Sequence, residues 1–542
     1  LNPNGTGLIQ ANAHVIPDQN RVRNLGSPTR VWDTLYVYYA NVGGTLTVAG
    51  DISVNGNLSV TGNIVEMGNI ITDAKTIQLA NTALTANAAD GSGITVGAND
   101  NIATLLYNST DNTWATNIGF NTGNLILSGD SIFDLQGPKL RVGEIENNRL
   151  EVKEGDILTF SNEKCVGTMK KIYVSYPNLA ADVVVGNLIM VDDGKIEVKV
   201  HSIEKNGDVK VKVTLGGIIS SKKGINLPDT KISLPALTEK DLEDVAFIIK
   251  EKLDWVALSF VKRVEDIEML RTILTQHKSK AKVIAKIEMP EALTNIRDII
   301  NSSDAIMIAR GDLGVELPVE KIPLIQKELI RKCLHRAKPV IVATQMMESM
   351  MDRVKPNRSE ITDVANAVIE GADAVMLSGE TATGQFPVLV IETMRKIITE
   401  VEEHGYKYNR SEDLKPQPHS PSFISDALCY SGCQLSDDSN AQALVGMTQS
   451  GYTAFMLSSF RPKSPLFIFT KEKSLVNQLS LSWGVKAFYY NKEESLDSII
   501  KDQIKILKKN GFVKEDDIVV NTGSTPVHLH LPTNMIKISK VE

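Results

Sequence analysis

Five short runs of apolar and β-branched residues recur through the middle of the chain, separated by amphipathic stretches. The runs predict strands at 255–260, 283–288, 305–309, 340–344 and 374–377. The stretch at 317–336 predicts a helix, because Pro318 falls in its first turn and Leu329 and Cys333 recur at helical spacing. This alternation indicates a parallel sheet covered by helices, either a βα barrel or a doubly wound sheet.

Polar residues at the ends of these runs favour the barrel. Lys286 with Glu288 and Thr344 lie at the carboxyl ends of predicted strands, and Asp312 follows another within a few residues. A barrel brings the carboxyl ends of its strands onto one face, where its active site lies. A doubly wound sheet would spread the same residues along an edge, so a (β/α)8-type barrel fits the pattern better.

Two further regions, one between the barrel segments and one after them, follow other patterns. Short alternating segments between 142 and 224, with turn signals such as Asn206-Gly207, predict a small β domain inserted as a lid. A polar linker at 415–421 leads to a further α/β region. We therefore predict a catalytic barrel at 134–141 and 225–405, a lid at 142–224 and a C-terminal α/β domain at 406–542.

Residues 1–133 have a different texture. A six-residue repeat with glycine at 44, 50, 56 and 62 alternates apolar and polar positions, as a one-faced strand does. Only four of the 58 Lys and Arg residues precede Asp134. Such a repeat buries its apolar face only by stacking on copies of itself or on other chains. It resembles the shaft of a phage tail-fibre or a similar β-rich fibre protein. The alternative is a disordered leader rich in Asn and Gly.

Composition excludes several classes of protein. A net charge of −7 argues against a broad basic surface for nucleic acid, and four cysteines in 542 residues do not form a disulfide framework. Cys429 and Cys433 share a helix face, where two buried thiols are favoured over a redox pair or half a metal site. Apolar runs stay below the ~18 residues of a membrane span. The start at Leu1, without Met or a signal-like segment, is compatible with a fragment and with a cytoplasmic location.

The chemistry centres on one ammonium and two carboxylates. Lys286, Glu288 and Asp312 lie at the ends of two consecutive buried strands, where an unpaired charge is costly. Lys286 and Glu288 alone fit a surface ion pair equally well, because residues two apart in a strand share a face. In an ordered set with Asp134 and Thr344 they favour a site for a divalent cation and a phosphoryl group.

Six motifs carry a resemblance to a known family. They are Asp-Leu-Gln-Gly-Pro-Lys-Leu-Arg at 134–141, Lys-Lys-Gly-Ile-Asn-Leu-Pro at 222–228, Lys-Ile-Glu at 286–288, Ala-Arg-Gly-Asp-Leu-Gly-Val-Glu at 309–316, Ala-Thr-Gln-Met at 343–346 and Leu-Ser-Gly-Glu-Thr-Ala at 377–382. In order and spacing, residues 134–542 resemble pyruvate kinase. The resemblance implies phosphoryl transfer from phosphoenolpyruvate to ADP, giving pyruvate and ATP, the last step of glycolysis.

The resemblance also implies roles for single residues. Lys286 stabilises the migrating phosphoryl group, and Glu288 and Asp312 hold Mg²⁺ or Mn²⁺. Gly311 and Asp312 bind the substrate carboxylate through their backbone N–H groups. Thr344 binds the same carboxylate or lies on the protonation side of the enolate.

Further implied sites involve the nucleotide, a monovalent ion and other copies of the chain. Arg141 and Lys223 hold nucleotide phosphates, with Lys223 reaching in from the closing lid. Asp134 and the Leu135 carbonyl form part of a K⁺ site. Intact members of the family form homotetramers.

One loop of the C-terminal domain has two interpretations. Its members follow a predicted strand and resemble the loop that binds a phosphorylated effector in many relatives: Thr448, Ser450, Gly451 and Thr453. Hydroxyl groups and glycine at a helix start suit phosphate. A plain helix cap explains the same residues equally well.

The family has two barrel strands before its Asp-Leu-Gln-Gly-Pro motif, and residues 1–133 do not match them. The expected Arg-x-Asn-x-Ser-His-Gly run, with its phosphate-binding arginine, is missing from this sequence. We therefore predict an incomplete barrel and little or no activity. The competing hypothesis is a structural fibre or adhesin that carries a non-functional kinase fragment.

Overall fold

A computed structural model describes residues 131–542 except 229, 231, 405–407, 409–413, 493, 527, 528 and 530. Before residue 131 it describes the backbone of five short strands: β1 Gly93–Val96, β2 Ala103–Asn108, β3 Thr113–Thr116, β4 Asn121–Thr122 and β5 Leu125–Ile126. Strand β6, Ile132–Asp134, begins the nearly continuous part. The six-residue repeat between 44 and 64 lies outside the described residues, so the fibre-like segment stays a prediction.

The inserted domain is a twisted β-sheet with a small second sheet. Its elements are β7 Leu150–Val152, β8 Ile157–Ser161, β9 Ile172–Tyr173, α1 Leu179–Asp182, β10 Leu188–Val191, β11 Ile196–Ile203, β12 Val209–Leu215, β13 Gly217–Ile219 and β14 Ile225–Asn226. Six strands pair in the order β14-β10-β11-β12-β8-β9, and β13 pairs with β7. Alternate residues of β12, namely Val209, Val211 and Val213, are buried, as the two-residue period of a strand requires. Strand β14 extends this sheet two residues beyond the predicted lid boundary at 224.

The barrel region alternates strands and helices. Its strands are β15 Trp255–Leu258, β16 Lys282–Ile287, β17 Ala305–Ala309, β18 Val340–Ala343 and β19 Ala374–Met376. Its helices are α2 Glu239–Glu251, α3 Val264–Gln276, α4 Pro290–Thr294, α5 Ile296–Ser302, α6 Arg310–Glu316, α7 Ile322–His335, α8 Arg358–Glu370, α9 Gly379–Ala382 and α10 Pro387–His404. All five predicted strands are confirmed, with bounds that differ by one or two residues at most.

The parallel sheet is curled and incomplete, as predicted. Strands pair in the order β6-β15-β16-β17-β18-β19, so β6 and β19 form its two edges within the described part of the chain. Every residue of β15, β17 and β18 is buried, as expected for strands covered on both faces. The sheet is therefore an open half-barrel with a buried apolar core.

The predicted helix at 317–336 begins later than expected. Residues Val319–Lys321 form a 3₁₀ turn, and α7 begins at Ile322. Pro323, rather than Pro318, occupies the first helical turn. Proline suits that position because its missing N–H would have no partner in the helix anyway.

The C-terminal domain has a separate sheet with its own helices. It contains α11 Phe423–Asp438, β20 Ala443–Met447, α12 Tyr452–Ser459, β21 Leu466–Thr470, α13 Lys473–Gln478, β22 Val485–Tyr489, α14 Leu496–Lys509, β23 Ile518–Gly523 and β24 Met535–Lys540. Its sheet has the order β22-β21-β20-β23-β24, with only β24 antiparallel. Within the residues described, we find no helix whose length and apolarity would suit it to cross a membrane.

Candidate active site

The Lys286 ammonium lies at the centre of the candidate site. Its Nζ is 3.0 Å from Asp134 Oδ2, 2.8 Å from Ser259 Oγ and 3.0 Å from Glu288 Oε1. Asp134 ends β6, Ser259 follows β15 and Lys286 lies near the end of β16. Because these three strands are neighbours and parallel, their carboxyl ends converge, and one cation joins three strand ends.

Glu288 is the most deeply buried charge of the site. Its side chain is 1% exposed, and its Oε2 accepts a 2.7 Å hydrogen bond from the Phe260 N–H. Burial raises the pKa of Glu288 and the nearby Asp312 carboxylate raises it further, while Lys286 offsets only part of this. The Glu288 carboxylate therefore favours an additional positive charge near it.

The charge of Lys286 is maintained by its neighbours. Burial alone would lower the pKa of the Lys286 ammonium, but the Glu288 and Asp134 carboxylates outweigh burial and raise it above the ordinary value. Lys286 is consequently a fixed positive charge at neutral pH. The cluster of Lys286, Glu288 and Asp134 is thus a partly buried network rather than a surface ion pair.

Asp312 has a cationic partner that the sequence analysis did not assign. Lys139 Nζ lies 3.2 Å from Asp312 Oδ1, and both side chains are partly buried. Asp312 lies in the first turn of α6, which follows β17 directly. Lys139 belongs to the 134–141 motif, and its place in that motif is the sequence signal that could have identified it as a site residue. Lys139 neutralises one of the two carboxylates while Lys286 neutralises the other.

Thr344 is held in an unusual backbone conformation. Its φ is +70° and that of Gln345 is +56°, in the left-handed region that a β-branched residue rarely adopts. Arg310, which the sequence analysis also did not assign, donates a 2.8 Å hydrogen bond to the Thr344 carbonyl and a 2.6 Å bond to Asp363. Such conformations persist where surrounding contacts enforce them, often at functional sites.

The Thr344 hydroxyl faces the start of α6. It accepts a 2.8 Å hydrogen bond from the Gly311 N–H and donates to the Ala343 carbonyl at 2.6 Å. A Cβ at position 311 would lie 3.3 Å from Thr344 Oγ1, so glycine allows this close approach. The structure thus brings Gly311 and Thr344 together.

Arg141 and Lys223 meet at the base of the lid. The backbones of Arg141 and Gly224 form an antiparallel β-bridge, and Arg141 Nη1 donates a 3.0 Å hydrogen bond to the Lys222 carbonyl. Lys223 Nζ lies 3.0 Å from Asp192 Oδ1 on the lid. A Cβ at Gly224 would lie 3.5 Å from Lys139 Cε, so this bridge lies beside the lysine that contacts Asp312.

The site's donors suit a divalent cation that is completed by substrate. Among the described residues, no group of three or more His, Cys, Asp or Glu side chains is arranged as a metal site. Glu288 and Asp312 are two hard oxygen donors close enough for one charge to perturb the other. Mg²⁺ is commonly bound by one or two carboxylates plus substrate phosphates and water, so these two residues fit it.

The two predicted K⁺ donors differ in accessibility. The Asp134 carboxylate is about half exposed but already contacts Lys286. The Leu135 side chain is fully buried, and its backbone N–H donates to the Ala257 carbonyl at 2.9 Å. Of the two predicted K⁺ donors, Asp134 therefore offers an exposed carboxylate oxygen.

The predicted effector loop lies far along the chain, in the C-terminal domain. Thr448 Oγ1 accepts from the Gly451 N–H at 3.1 Å, and Ser450 Oγ accepts from the Tyr452 N–H at 3.4 Å. Thr453 shares a 2.9 Å hydrogen bond with Thr533. Gly451 has a φ of +89° and precedes α12. The Thr448 and Ser450 hydroxyl groups thus accept hydrogen bonds from backbone N–H groups at the start of α12. Thr448, Ser450 and Thr453 also line a large cavity.

Comparisons with known proteins agree with the fold and the motifs. A family model described as pyruvate kinase, barrel domain, matches residues 126–391, and one described as pyruvate kinase, alpha/beta domain, matches residues 426–539. Among relatives, the pyruvate kinase of Geobacillus stearothermophilus is 40% identical over 75% of this chain and 69% of its own length. That of Mycobacterium tuberculosis is 40% identical over 75% of this chain and 85% of its own length.

A solved structure shows the same likeness in three dimensions. The crystal structure of a pyruvate kinase from Cryptosporidium parvum superimposes with a TM-score of 0.70 and 33% sequence identity. It covers 76% of this chain and 84% of the Cryptosporidium chain. Together with the two family models and the 40% identical relatives, this likeness shows that the chain belongs to the pyruvate kinase family.

Proposed function

We propose that this chain transfers a phosphoryl group from phosphoenolpyruvate to ADP, forming pyruvate and ATP, at the site around Lys286. The proposal rests on one observation: side-chain oxygen atoms of Asp134, Ser259 and Glu288 all lie within 3.0 Å of the Lys286 ammonium. Phosphoryl transfer needs alignment and charge neutralisation more than covalent chemistry from the protein. A buried cation beside two carboxylates provides both.

Glu288 and Asp312 would hold Mg²⁺ or Mn²⁺. When bound, the ion supplies positive charge to the phosphate and enolate oxygens. Lys286 adds a charge whose position is set by three neighbours, so little reorganisation is needed as negative charge develops on the phosphoryl group. Lys139 balances Asp312 before the substrate arrives.

Gly311 and Thr344 are suited to the substrate carboxylate. The Gly311 N–H now donates to the Thr344 hydroxyl. A carboxylate at this place would accept from the Gly311 N–H instead. It would also accept from the Thr344 hydroxyl if that hydroxyl turned away from the Ala343 carbonyl, to which it now donates. The left-handed backbone at Thr344, held by Arg310, keeps that hydroxyl beside the start of α6. Asp312 adds its backbone N–H at the same helix start.

Arg141 and Lys223 would bind the nucleotide phosphates. Both lie at the hinge of the lid, and Lys223 is 41% exposed, so its ion pair with Asp192 exchanges readily for a phosphate. Lid closure over the nucleotide would exclude water from the phosphoryl group. The K⁺ ligands Asp134 and the Leu135 carbonyl, the homotetramer and the cytoplasmic location are supported by the family resemblance.

The open sheet predicts weak turnover. Strands β6 and β19 are edges within the described residues, and the family's phosphate-binding arginine has no counterpart in this sequence. An enzyme whose substrate is held about 1 Å out of place loses on the order of 100-fold in rate. We therefore expect turnover about 100-fold below that of an intact relative. The fibre or adhesin alternative rests on residues outside the described range.

Two measurements on the purified full-length chain test the proposal. Calorimetric titration with MnCl₂ should show one site that is lost in Glu288→Gln and Asp312→Asn and kept in Glu320→Gln, a matched change on an exposed glutamate. A coupled assay with lactate dehydrogenase should detect pyruvate only when both phosphoenolpyruvate and ADP are present. Absence of both the Mn²⁺ site and pyruvate formation would refute the proposed function. Turnover equal to that of the Geobacillus relative would refute only the expected weakness.

A further inference from the structure

The buried Asp241 carboxylate caps helix α2 with one of its two oxygen atoms. Asp241 is 0% exposed, and its Oδ2 accepts hydrogen bonds from the Thr238 N–H at 2.8 Å and from the Thr238 hydroxyl at 2.7 Å. The Thr238 hydroxyl accepts in turn from the Asp241 N–H at 3.1 Å, which completes a capping box. Helix capping therefore uses Oδ2 and leaves Oδ1 for a partner outside the helix.

That partner is the N–H of Gly137, 104 residues earlier in the chain. Asp241 Oδ1 accepts from it at 3.1 Å, and the bond is buried. Gly137 lies in the middle of the 134–141 segment, between Asp134 and Lys139, which both form ion pairs within the candidate active site. A hydrogen bond to an ionised acceptor is stronger than one between neutral groups, so the start of α2 holds this segment firmly.

The turn at Gly137 packs against the residues that follow strand β15. Its φ is +65°, and a Cβ there would lie 2.9 Å from Phe260 Cδ2 and 3.1 Å from Ser259 Cβ. The Ser259 hydroxyl contacts the Lys286 ammonium, and the Phe260 N–H donates to the Glu288 carboxylate. The turn therefore lies close against two residues that hydrogen-bond to groups of the candidate active site.

The strand before this segment has a neighbour on one side only. Among the described residues, β6 pairs with β15 and forms an edge of the sheet. The backbone of the segment bonds to β15 at Leu135 and to the lid strand β14 at Leu140, and between these two points Asp241 holds the Gly137 N–H. An edge strand has unpaired backbone groups along one side, so the position of the segment depends strongly on this bond.

We propose that Asp241 is a positioning residue for the reaction: its carboxylate fixes the 134–141 segment and thereby sets the places of Asp134 and Lys139. Within the described part of the chain, the carboxylate bonds to Thr238 and to this segment, so it acts through the segment rather than on the substrate. This role rests on the proposed phosphoryl transfer and adds to it a residue outside the site.

Two matched variants of the full-length chain separate positioning from helix capping. Asp241→Ala removes both the cap and the bond to Gly137, whereas Thr238→Val removes the hydroxyl of the cap and leaves the Gly137 bond in place. Hydrogen exchange followed by mass spectrometry should show faster exchange at the start of α2 in both variants. Exchange in the 134–141 segment should rise at least about tenfold in Asp241→Ala and stay at the wild-type rate in Thr238→Val. A wild-type rate in that segment of Asp241→Ala would overturn the proposal.

The coupled assay supplies a readout that a loss of stability alone would not move. Asp241→Ala should lower kcat by about 10- to 100-fold, because Asp134 and Lys139 lose their places. The KM for phosphoenolpyruvate should stay within a few-fold of wild type, since the proposed carboxylate-binding groups lie on other elements. Thr238→Val should lower the Tm by a similar amount but leave kcat close to the wild-type value. An equal loss of kcat in the two variants would contradict the positioning role.

Asp241→Asn covers the case in which Asp241→Ala does not fold. Its single carbonyl oxygen makes a neutral hydrogen bond in place of a charge-assisted one, so exchange and kcat should change in the same directions by less. Wild-type values of both would contradict the role of Asp241. Absence of pyruvate formation by the wild-type chain would refute the proposed function, whereas the exchange measurement would still decide whether Asp241 holds the segment.

Discussion

The Asn226 carboxamide donates a 2.8 Å hydrogen bond to the buried Glu316 carboxylate. Asn226 ends β14, the last strand of the lid, and Glu316 ends α6, the helix that carries Asp312. A lid strand and the candidate metal-binding helix are thus joined by a bond between two buried side chains. The position of the lid is coupled to the site through this pair.

Asn226→Leu should weaken both stability and nucleotide binding. The substitution takes one donor from a buried carboxylate, which costs about 1–3 kcal/mol of unfolding free energy. It also loosens the lid that carries Lys223, so the KM for ADP should rise more than the KM for phosphoenolpyruvate. Urea unfolding and the coupled assay measure the two effects. Asn206→Ala, in an exposed lid turn, is the control and should change neither; equal behaviour of the two variants would contradict the coupling.

Lys286→Met should abolish most turnover while it leaves the KM for phosphoenolpyruvate within a few-fold of wild type. Loss of a preorganised charge that acts on the transition state lowers kcat by about 100- to 1,000-fold. The same change leaves Glu288 buried without its cation, which destabilises the fold. The double variant Lys286→Met with Glu288→Gln should recover stability, while its turnover stays low because Glu288→Gln also removes a proposed metal ligand. Turnover of the single variant Lys286→Met within a few-fold of wild type would contradict the role of Lys286.

Arg461 should be the main electrostatic link between the barrel and the C-terminal domain. Its fully buried guanidinium lies 3.0 Å from Asp373 Oδ2 and donates to the Gly371 carbonyl at 2.7 Å. Arg461→Met leaves the Asp373 charge buried, so unfolding free energy should fall by about 3–5 kcal/mol. Arg353→Met, on an exposed side chain, should cost less than about 1 kcal/mol. Similar losses in chemical unfolding of both variants would contradict this assignment.

Asp304 should make stability depend on pH in the acid range. Burial alone would raise the pKa of Asp304, but Lys282 and Arg271 outweigh burial and lower it below the ordinary 3.8. A lowered folded pKa contributes stability above about pH 4, and this contribution is lost as the pH falls through the folded value. The stability difference between wild type and Asp304→Asn should therefore be constant from about pH 5 to 7 and shrink below about pH 4.

The exposed Asp298→Asn on α5 serves as the control for this pH series. Its stability difference from wild type should stay small at every pH at which the Asp304→Asn difference is measured. A difference for Asp304→Asn that grows as the pH falls would refute the ion-pair explanation.

The cysteines should react very unequally. Cys333, Cys429 and Cys433 are buried free thiols, and burial raises the pKa of Cys429 to about 12. Cys165 is partly exposed. A thiol reagent at pH 8 should modify one cysteine per native chain and four after denaturation. Labelling of the Cys165→Ser variant in its native state would show that the core opens, because the three remaining thiols are inaccessible in the fold.

Prediction from sequence succeeded where local pattern and strand order suffice. Continuous apolar runs identified β15 to β19, and the polar residues at their ends gave Lys286 and Glu288 as candidates. The start of α7 was misplaced, because the choice between Pro318 and Pro323 depends on a 3₁₀ turn that no periodicity reveals. Lys139 and Arg310 were overlooked, since their importance comes from contacts with Asp312 and Thr344, residues distant in the chain.

The order of amino acids alone was enough to place this chain in a βα fold with an inserted β domain and a C-terminal α/β domain. It also selected an ammonium with two carboxylates as the candidate chemistry. Those conclusions follow from periodicity and residue type, which are local properties. The pairing of Lys139 with Asp312 and the left-handed backbone at Thr344 became visible only in the folded chain. Charge compensation and backbone strain arise from contacts between residues far apart in sequence, so packing in three dimensions decides them.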